Sequence, residues 1–317
     1  MDKKEEYGAY LFAHFTGGTG ETEKLYYGVS RDGYHFKALN EGKPVFTSFL
    51  GTGHLRDPYV FSGEDGYYYI AVTDMCSREG WASQSTIAIY KTADLIHMEE
   101  GILIDYRDFI GFEDCNRAWA PHILWCEEKN AYMIYLSLQN ASTENTLGTV
   151  MYRHYAKDLM ELSTYTVPEL MLCGEEAGKG AIDGDIIYDA FEKRYLMYYG
   201  GKYISEAESL SGMFQKTGEF VPFKTDTGDD MGVEGSHIYK LTGENKWIIA
   251  ADGTPFNGGK YAMAETVDFK NYRQLDEKKG EYSFHLIPRH GFVIPITAQQ
   301  LHKLIDQYGI VELENKH

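Results

Sequence analysis

With 317 residues, the chain is long enough to form one large domain and need not be divided into two. Its 26 tyrosines, 16 phenylalanines and 33 glycines suit a fold made of strands and turns. The formal net charge of −18, from 48 acidic and 30 basic residues, argues against nucleic acid or an anionic membrane as a partner.

The N-terminal segment 1–6 is polar, and the apolar run that follows it, 9–15, is short and has no Ala-x-Ala-like cleavage site. We therefore expect neither a signal peptide nor a membrane span, and hence a cytoplasmic protein. The cysteines do not have metal-ligand spacing and predict free thiols of a reducing compartment; they are Cys76, Cys115, Cys126 and Cys173.

Aromatic and β-branched runs recur along the chain, and each follows a polar turn. Such runs favour strands, and a polar turn between two strand-like runs predicts a hairpin. The runs are 67–72, 132–136, 195–199 and 247–250, and the turns before them are 63–66, 127–130, 189–194 and 242–245.

A short motif recurs five times, and three of its copies begin with a carboxylate. Proline or glycine follows each first residue, which suits strands that converge on a crowded axis. The copies begin at Asp57, Ala120, Asp183, Glu234 and His290, which by subtraction are 63, 63, 51 and 56 positions apart. This regular spacing indicates a repeat and predicts that the acidic residues are equivalent positions of successive repeats.

A second motif supports the same repeat. An aspartate followed four positions later by a large apolar residue starts at Asp32, Asp94, Asp158 and Asp268, with a degenerate copy at 210–214. We interpret these aspartates as outer-turn residues without a catalytic role.

Together the patterns predict an all-β fold, a five-bladed β-propeller of four-stranded antiparallel blades in a single domain, 1–317. Blade one should begin near 10–12 and be closed by 292–296 from the C-terminus, which removes a free sheet edge. Thr297, helical spacing over 297–305 and Gly309 predict a short C-terminal helix.

The propeller axis would bring Asp57, Asp183 and Glu234 into one funnel. Carboxyl groups at short range cannot all ionise cheaply, so one becomes a proton donor near neutral pH while another can act as a base. An acid and a base across one bond are the apparatus for glycoside hydrolysis. Arg56 and Arg289, beside Asp57 and His290, could keep Asp57 ionised or bind sugar hydroxyls.

In order along the chain, the segments 56–60, 119–123, 182–186, 234–238 and 289–291 resemble the landmarks of glycoside hydrolase family 43. The family consists of five-bladed propellers that act on arabinofuranosides, xylosides and related plant polysaccharides by inversion. The resemblance covers nearly the whole chain. It implies that Asp57 is the general base, Asp183 the orienting residue that tunes the pKa of the acid, and Glu234 the general acid. His290 would match an axial histidine that in some members helps to hold a water or a metal ion.

The sequence departs from this pattern at two places. Gly184 and then Asp185 follow Asp183 where the family often has proline, so both aspartates stay candidates for the tuning residue and phase favours Asp183. A Gly-Ser pair follows Glu234, and the apolar residue Ile238 falls one position later than in the other copies. The second departure leaves the direction of the Glu234 side chain open.

Further residues are candidates for substrate binding. Trp119 could stack on a sugar ring or pack within a blade, and Trp81 lies in a loop suited to a substrate wall. His122 could touch substrate or be a structural histidine. Arg56, Arg289 and His290 complete the substrate-binding set.

The resemblance implies an inverting, exo-acting glycosidase of the α-L-arabinofuranosidase or β-xylosidase type, with an oligosaccharide as substrate. One alternative is a retaining fructan hydrolase-like propeller, against which stand the absence of Asn-Asp-Pro-Asn near the N-terminus and of Glu-Cys at the acid position. Another is a carbohydrate-binding propeller that has lost catalysis. No cofactor should be required, although a structural or axial Ca²⁺ ion is possible, and the oligomeric state stays open.

Overall fold

A computed structural model describes residues 7–17, 20–172, 181–220, 223–253 and 260–311. They form five β-sheets arranged as the blades of a propeller, which confirms the predicted fold class. Four of the sheets are four-stranded antiparallel meanders in chain order, with the first strand innermost. The fifth combines both ends of the chain, because the C-terminal strand pairs with the N-terminal strand.

The strands are as follows. The closing sheet has the order β20-β3-β2-β1-β21, with β1 Tyr7–His14, β2 Tyr26–Ser30, β3 His35–Ala38, β20 Ser283–His285 and β21 Gly291–Thr297. The second sheet contains β4 Arg56–Ser62, β5 Tyr68–Thr73, β6 Thr86–Thr92 and β7 Glu100–Asp105. The third contains β8 Cys115–Cys126, β9 Ala131–Asn140, β10 Val150–Ala156 and β11 Glu169–Leu170. The fourth contains β12 Asp185–Asp189, β13 Arg194–Tyr199, β14 Tyr203–Ala207 and β15 Gln215–Glu219. The fifth contains β16 Val233–Lys240, β17 Trp247–Gly253, β18 Tyr261–Thr266 and β19 Arg273–Gln274.

The helices are short. A single α-helix, α1 (Ala298–Tyr308), follows β21, as predicted, among the residues that the structure covers. Thr297 and Gln300 form a capping box at its start, and Leu301 and Leu304 are buried against the closing sheet. Single 3₁₀ turns occupy Gly20–Thr22, Asn40–Gly42, Ser77–Glu79, Tyr106–Asp108, Glu127–Lys129, Ala141–Thr143, Leu162–Thr164 and Glu277–Lys279. Within the described ranges, no helix has the length and apolar character that crossing a membrane requires.

The outer-turn aspartates behave as expected. Asp94 Oδ1 accepts hydrogen bonds from the backbone N–H groups of Ile96 and His97, both at 2.9 Å. Asp32 and Asp268 cap their own turns in the same way. These carboxylates are therefore turn residues, as predicted. Cys76, Cys115 and Cys126 are buried free thiols, and Cys173 lies outside the described residues.

A repeated backbone feature marks the inner end of four blades. Asp57, Ala120, Asp183 and Gly235 all have left-handed backbone conformations, with φ of 50°, 50°, 55° and 57°. Residues with a Cβ atom seldom adopt this conformation, so its recurrence identifies equivalent positions. In each case a buried apolar residue follows three positions later; these are Val60, Ile123, Ile186 and Ile238.

The repeat therefore assigns Gly235, and not Glu234, as the residue equivalent to Asp57. The predicted equivalence of Glu234 and Asp57 is wrong by one residue. The strand register gives the same result, because Arg56 pairs with Thr73 in one sheet and Glu234 pairs with Asp252 in the other, each just before an irregularity in the ladder. Glu234 therefore occupies in the fifth sheet the position that Arg56 occupies in the second sheet.

A second ring of side chains lies one step along the inner strands. Each member lies two residues after Asp57, Ala120, Asp183, Gly235 or His290, and in that order they are Tyr59, His122, Asp185, His237 and Phe292. Phe292 fills the centre, with ring centroids 4.1 Å from Tyr59, 5.8 Å from His122 and 5.9 Å from His237. This layer lies one step along the inner strands from the acidic residues, with Phe292 itself partly buried.

Candidate active site

The inner strands bring Asp57, Asp183 and His290 together at one end of the axis. His290 Nδ1 lies 3.3 Å from Asp57 Oδ1 and 4.0 Å from Asp183 Oδ1. Gly235 makes room for this ring, because a Cβ atom at that position would come within 2.5 Å of His290 Cγ. The left-handed glycine of the fifth sheet is thus required both by its backbone angle and by the histidine beside it.

Asp57 is held as a carboxylate. Burial raises its pKa, but the hydrogen bond and charge of His290, the charge of Arg56 and a hydrogen bond from Thr73 outweigh burial and bring the pKa to about 2. Thr73 also accepts a hydrogen bond from the Ala120 backbone N–H at 2.8 Å. Asp57 is therefore ionised and fixed in direction at neutral pH, as a general base requires.

The surroundings of Asp183 raise its pKa, whereas those of Asp57 lower it. Burial, followed by the charges of Asp57 and Glu234, outweighs the cation of His290 and raises the pKa of Asp183 to about 6. Its Oδ2 accepts a hydrogen bond at 3.1 Å from the N–H of Gly235, the residue that follows Glu234. This bond holds the Asp183 carboxyl group beside the backbone of that segment. A carboxyl group with this pKa exchanges its proton near neutral pH.

His290 is the cation of the site. Burial lowers its pKa, but Asp183 and then Asp57 raise it more strongly, to about 9. The protonated ring donates from Nδ1 toward the carboxylates. An axial Ca²⁺ ion, held by His290 through a water, stays an untested prediction.

Glu234 lies at the more open side of the site and is bound by Arg289. Its side chain is 39% exposed, against 12% for Asp57 and 11% for Asp183. Arg289 Nη2 donates to Glu234 Oε1 at 2.8 Å, and Arg289 Nε donates to Oδ2 of the fully buried Asp252. The guanidinium of Arg289 therefore bridges the buried carboxylate of Asp252 and the more exposed carboxylate of Glu234.

Asp252 was absent from the sequence-based candidates. Burial, opposed by Arg289, raises its pKa to about 6, and its Oδ1 is buried without a hydrogen-bond partner within the described residues. Asp252 faces Glu234 across the β16–β17 hairpin, as Thr73 faces Arg56 across the β4–β5 hairpin. Counting outward from the predicted turns would place Thr73 opposite Asp57 and Asp252 opposite Gly235, each one residue from its actual partner, because both ladders shift register there.

The side chains of Arg56 and His122 are buried and do not line the open part of the funnel. Arg56 is 6% exposed and its Nη1 donates to the buried Glu23 at 2.8 Å, so its charge reaches Asp57 from within the protein. His122 is 2% exposed, stacks on Tyr59 at a centroid distance of 4.2 Å and belongs to the buried ring. A sugar in the funnel would not meet either side chain directly.

The tryptophans lie at the edge of the same region. Trp81 is 54% exposed, and its ring meets Trp119 edge to face at a centroid distance of 6.3 Å. The guanidinium of Arg56 lies 5.2 Å from the Trp81 ring centre, which connects this aromatic surface to the residue before Asp57. Trp119 is half-buried under Arg117 at 4.9 Å, so the exposed platform is formed mainly by Trp81.

Asp185 belongs to the buried ring and not to the funnel. Its Oδ2 accepts from the Ile238 N–H at 2.6 Å, and its Oδ1 lies 3.4 Å from His122 Nδ1. Asp183 shares the left-handed position of Asp57 and points toward His290. The placement favours Asp183 over Asp185 as the residue that can act on the site.

Comparisons with known proteins agree with this geometry. A family model described as "Probable glycosyl hydrolase domain", related to glycoside hydrolase family 43, matches residues 5–302. A curated α-L-arabinofuranosidase of Bifidobacterium longum subsp. longum is 24% identical over a segment that covers 64% of this chain. The matched segment is 21% of that relative, so the chain spans about a fifth of its length.

Solved structures share the fold. A thermostable family-43 glycoside hydrolase superposes with a TM-score of 0.61 at 13% identity, covering 87% of this chain and 91% of that one. An α-L-arabinanase of Cellvibrio cellulosa, complexed with arabinohexaose, superposes with a TM-score of 0.56 at 13% identity, covering 89% and 96%. At such identities the superpositions support the architecture and carry no information on substrate.

Proposed function

The chain belongs to the family of probable glycosyl hydrolase domains related to glycoside hydrolase family 43, and from this premise we propose that it hydrolyses glycosidic bonds with inversion at the anomeric carbon. The observation that carries the proposal is the cluster of Asp57, His290 and Asp183 at one end of the axis, in which Asp183 binds the N–H of the residue after Glu234. Asp57 has a pKa of about 2, whereas burial raises that of Asp183 to about 6. Neighbouring carboxyl groups with pKa values driven apart are typical of acid–base sites.

In the proposed reaction Asp57 is the general base. Its carboxylate takes a proton from a water, and the water oxygen attacks the anomeric carbon on the face opposite the leaving group. His290 holds Asp57 in place through Nδ1, and Thr73 binds the same carboxyl group. One direct displacement by water inverts the configuration.

Glu234 is the proposed general acid. It gives its proton to the glycosidic oxygen as the carbon–oxygen bond breaks, so that the leaving sugar departs as an alcohol. Its exposure of 39% lets it reach a bound substrate more easily than the buried carboxyl groups can. Asp183, bound to the Gly235 N–H, acts as the neighbour that orients Glu234 and tunes its proton affinity.

A second assignment exchanges these two roles. Asp183 lies at the site with a pKa raised to about 6, and Glu234 is bound to Arg289. Under this assignment Asp183 would protonate the leaving oxygen and Glu234 with Arg289 would bind sugar hydroxyls. The small exposure of Asp183, 11%, is the observation against it.

We propose arabinofuranosyl or xylosyl oligosaccharides as substrates, with release of single sugars from chain ends. The similarity to an α-L-arabinofuranosidase supports the first of these sugars. The exposed ring of Trp81 offers a flat apolar surface on which a sugar beyond the cleaved bond could stack.

The test is to incubate the protein with a panel of nitrophenyl glycosides and to follow hydrolysis of the best substrate by proton NMR. The first product formed should have the anomeric configuration opposite to that of the substrate. Retained configuration would move the protein to the fructan hydrolase-like alternative. Binding of oligosaccharide without hydrolysis, unchanged in Asp57→Asn, would identify a carbohydrate-binding propeller instead.

A further inference from the structure

A second cluster of reactive side chains lies beside the funnel, between the closing sheet and the second sheet. One carboxylate oxygen of Glu23, one ring nitrogen of His54 and the sulfur of Cys76 all lie within 4.8 Å of one another. Within the described ranges, this is the only group of three such donors that close together. The glycosidase mechanism proposed above does not use any of the three.

Glu23 enters this cluster as a buried anion with unused acceptor capacity. Its side chain has no exposed surface. Arg56 Nη1 and the Ser77 N–H approach Oε1 at 2.8 and 3.1 Å, whereas the one bond to Oε2 from the described residues is the longer share of the same Ser77 N–H at 3.2 Å. A carboxylate has about four acceptor positions, so Oε2 can bind a cation without displacing Arg56.

His54 has a backbone partner of the kind that metal-binding histidines often have. Its Nδ1 lies 2.9 Å from the carbonyl oxygen of Thr52 and donates to it in the neutral ring. This bond leaves Nε2 with a lone pair, and a backbone carbonyl on the opposite nitrogen is a common outer partner of a ligating histidine.

Cys76 supplies the third donor. It is a buried free thiol three residues after the end of β5, and the Arg78 side chain interacts with it. The thiolate is the form of a cysteine that binds metals, and metal binding itself releases the thiol proton. The Arg78 side chain is 59% exposed, so it can move into solvent when an ion binds.

We propose that Glu23, His54 and Cys76 form a zinc site, with water completing a tetrahedral shell. A mixed oxygen, nitrogen and sulfur set suits Zn²⁺ better than the hard Ca²⁺ or Mg²⁺ ions, which take oxygen ligands. Zinc–ligand distances of about 2.0–2.3 Å place donor atoms roughly 3.5 Å apart. Side-chain movements of about 1 Å therefore convert the observed spacing into a bound shell.

The position of the ion gives it a structural role. Glu23 precedes β2, His54 precedes β4 and Cys76 follows β5, so the ion would add a further link between two blades that the Arg56–Glu23 ion pair already joins. His54 is two residues before Arg56, which also binds Glu23 and leads into Asp57. The ion would hold the start of the strand that carries the proposed base.

The experiment uses Co²⁺ as a spectroscopic probe on the full chain after treatment with a chelator. One equivalent should produce a thiolate-to-cobalt charge-transfer band, and Zn²⁺ should remove the band by competition. Cys76→Ser should abolish the band, and His54→Gln should weaken Co²⁺ binding more than tenfold. Cys126→Ser, which removes another buried thiol, should leave it unchanged.

A second measurement needs no variant. Zn²⁺ should slow the alkylation of Cys76 at least tenfold in the wild-type protein, with the modified cysteine identified by mass spectrometry, and should raise the Tm by several degrees. Absence of a saturable band together with unchanged alkylation of Cys76 would overturn the proposal. A band that persists in Cys76→Ser would also overturn it, because another cysteine would then be the ligand. The outcome is independent of glycosidase activity.

Discussion

His290 lies between the carboxyl groups of Asp57 and Asp183, 3.3 Å from one and 4.0 Å from the other. Its pKa, raised to about 9 by Asp183 and Asp57 against the effect of burial, keeps the ring protonated at neutral pH. One buried cation therefore compensates two acids, and it does so unequally, because only Asp57 receives its hydrogen bond. This asymmetry contributes to the difference in acidity between the two aspartates, beside Arg56 and Thr73, which also lower the pKa of Asp57.

Replacing His290 should therefore move the pH profile of the enzyme. In His290→Gln the positive charge is lost, so the pKa values of both aspartates should rise. The acid limb of the kcat/KM profile should shift to higher pH by about one unit or more, since the base must be ionised. His35→Gln, which removes an exposed histidine paired with Asp32, is the control. An acid limb that stays in place would contradict the assignment of Asp57 as base.

The same residue predicts a pH dependence of stability. A histidine whose pKa rises from 6.5 to about 9 on folding stabilises the folded state fully below its unfolded pKa and loses that contribution as the pH rises through 9. The contribution is on the order of 3 kcal/mol at most. The free energy of unfolding, measured in urea from pH 7 to pH 10, should fall more for the wild type than for His290→Gln. Parallel curves would show that the ring is neutral in the folded protein.

Asp183 and Asp185 should respond differently to the same change. Asp183→Asn alters a carboxyl group at the site, so it should reduce kcat and shift a limb of the pH–rate profile while leaving the fold intact. Asp185→Asn weakens a buried network with His122 and the Ile238 N–H, which should cost about 1–3 kcal/mol of stability. Activity per folded molecule should change less. Chemical denaturation beside the pH profiles measures both, and the reverse order of effects on kcat would exchange their roles.

The architecture could be predicted from the sequence because its motifs recur at regular spacing. Five copies of the inner motif, together with the aspartates of the outer turns, determine the number of blades and the closure by β21 without any contact being known. Regular spacing also predicted that Asp57, Asp183 and His290 meet at one axis. These features depend on local patterns that recur, and recurrence is visible in a single chain.

The site was harder to predict where an irregularity in strand pairing moves a residue from its expected place in the repeat. The irregularity in the ladder between Glu234 and His237 places Gly235 at the repeat position, and only the late apolar residue Ile238 indicated the offset. Asp252 became visible through pairing across the hairpin, and the bond from Arg56 to Glu23 joins residues 33 positions apart. Long-range electrostatic partners of this kind leave no periodic trace in the sequence.

The leaving group of the substrate should separate acid from base. Glu234→Gln removes proton donation, so kcat/KM should fall about 10²–10⁴-fold on sugars with poor leaving groups and much less on activated aryl glycosides. Asp57→Asn should be severe for both classes, because attack by water is impaired whichever group departs. Steady-state rates on a series of aryl glycosides of graded leaving-group acidity measure this. A steep series for Asp183→Asn and a flat one for Glu234→Gln would establish the exchanged assignment.

Asp252 should act on the reaction through Arg289. In the wild type Arg289 Nε binds the buried Asp252 and Nη2 binds Glu234, so the positive charge is divided between two carboxyl groups. In Asp252→Asn the guanidinium would compensate Glu234 alone and favour its ionised form, which cannot donate a proton. The basic limb of the kcat/KM profile should then move to lower pH, with the larger losses on poor leaving groups. Asp189→Asn is a matched control, since Asp189 is a buried carboxylate near Arg194 in another blade. If both variants lose stability alike and neither moves the basic limb, Asp252 serves the fold and not the acid.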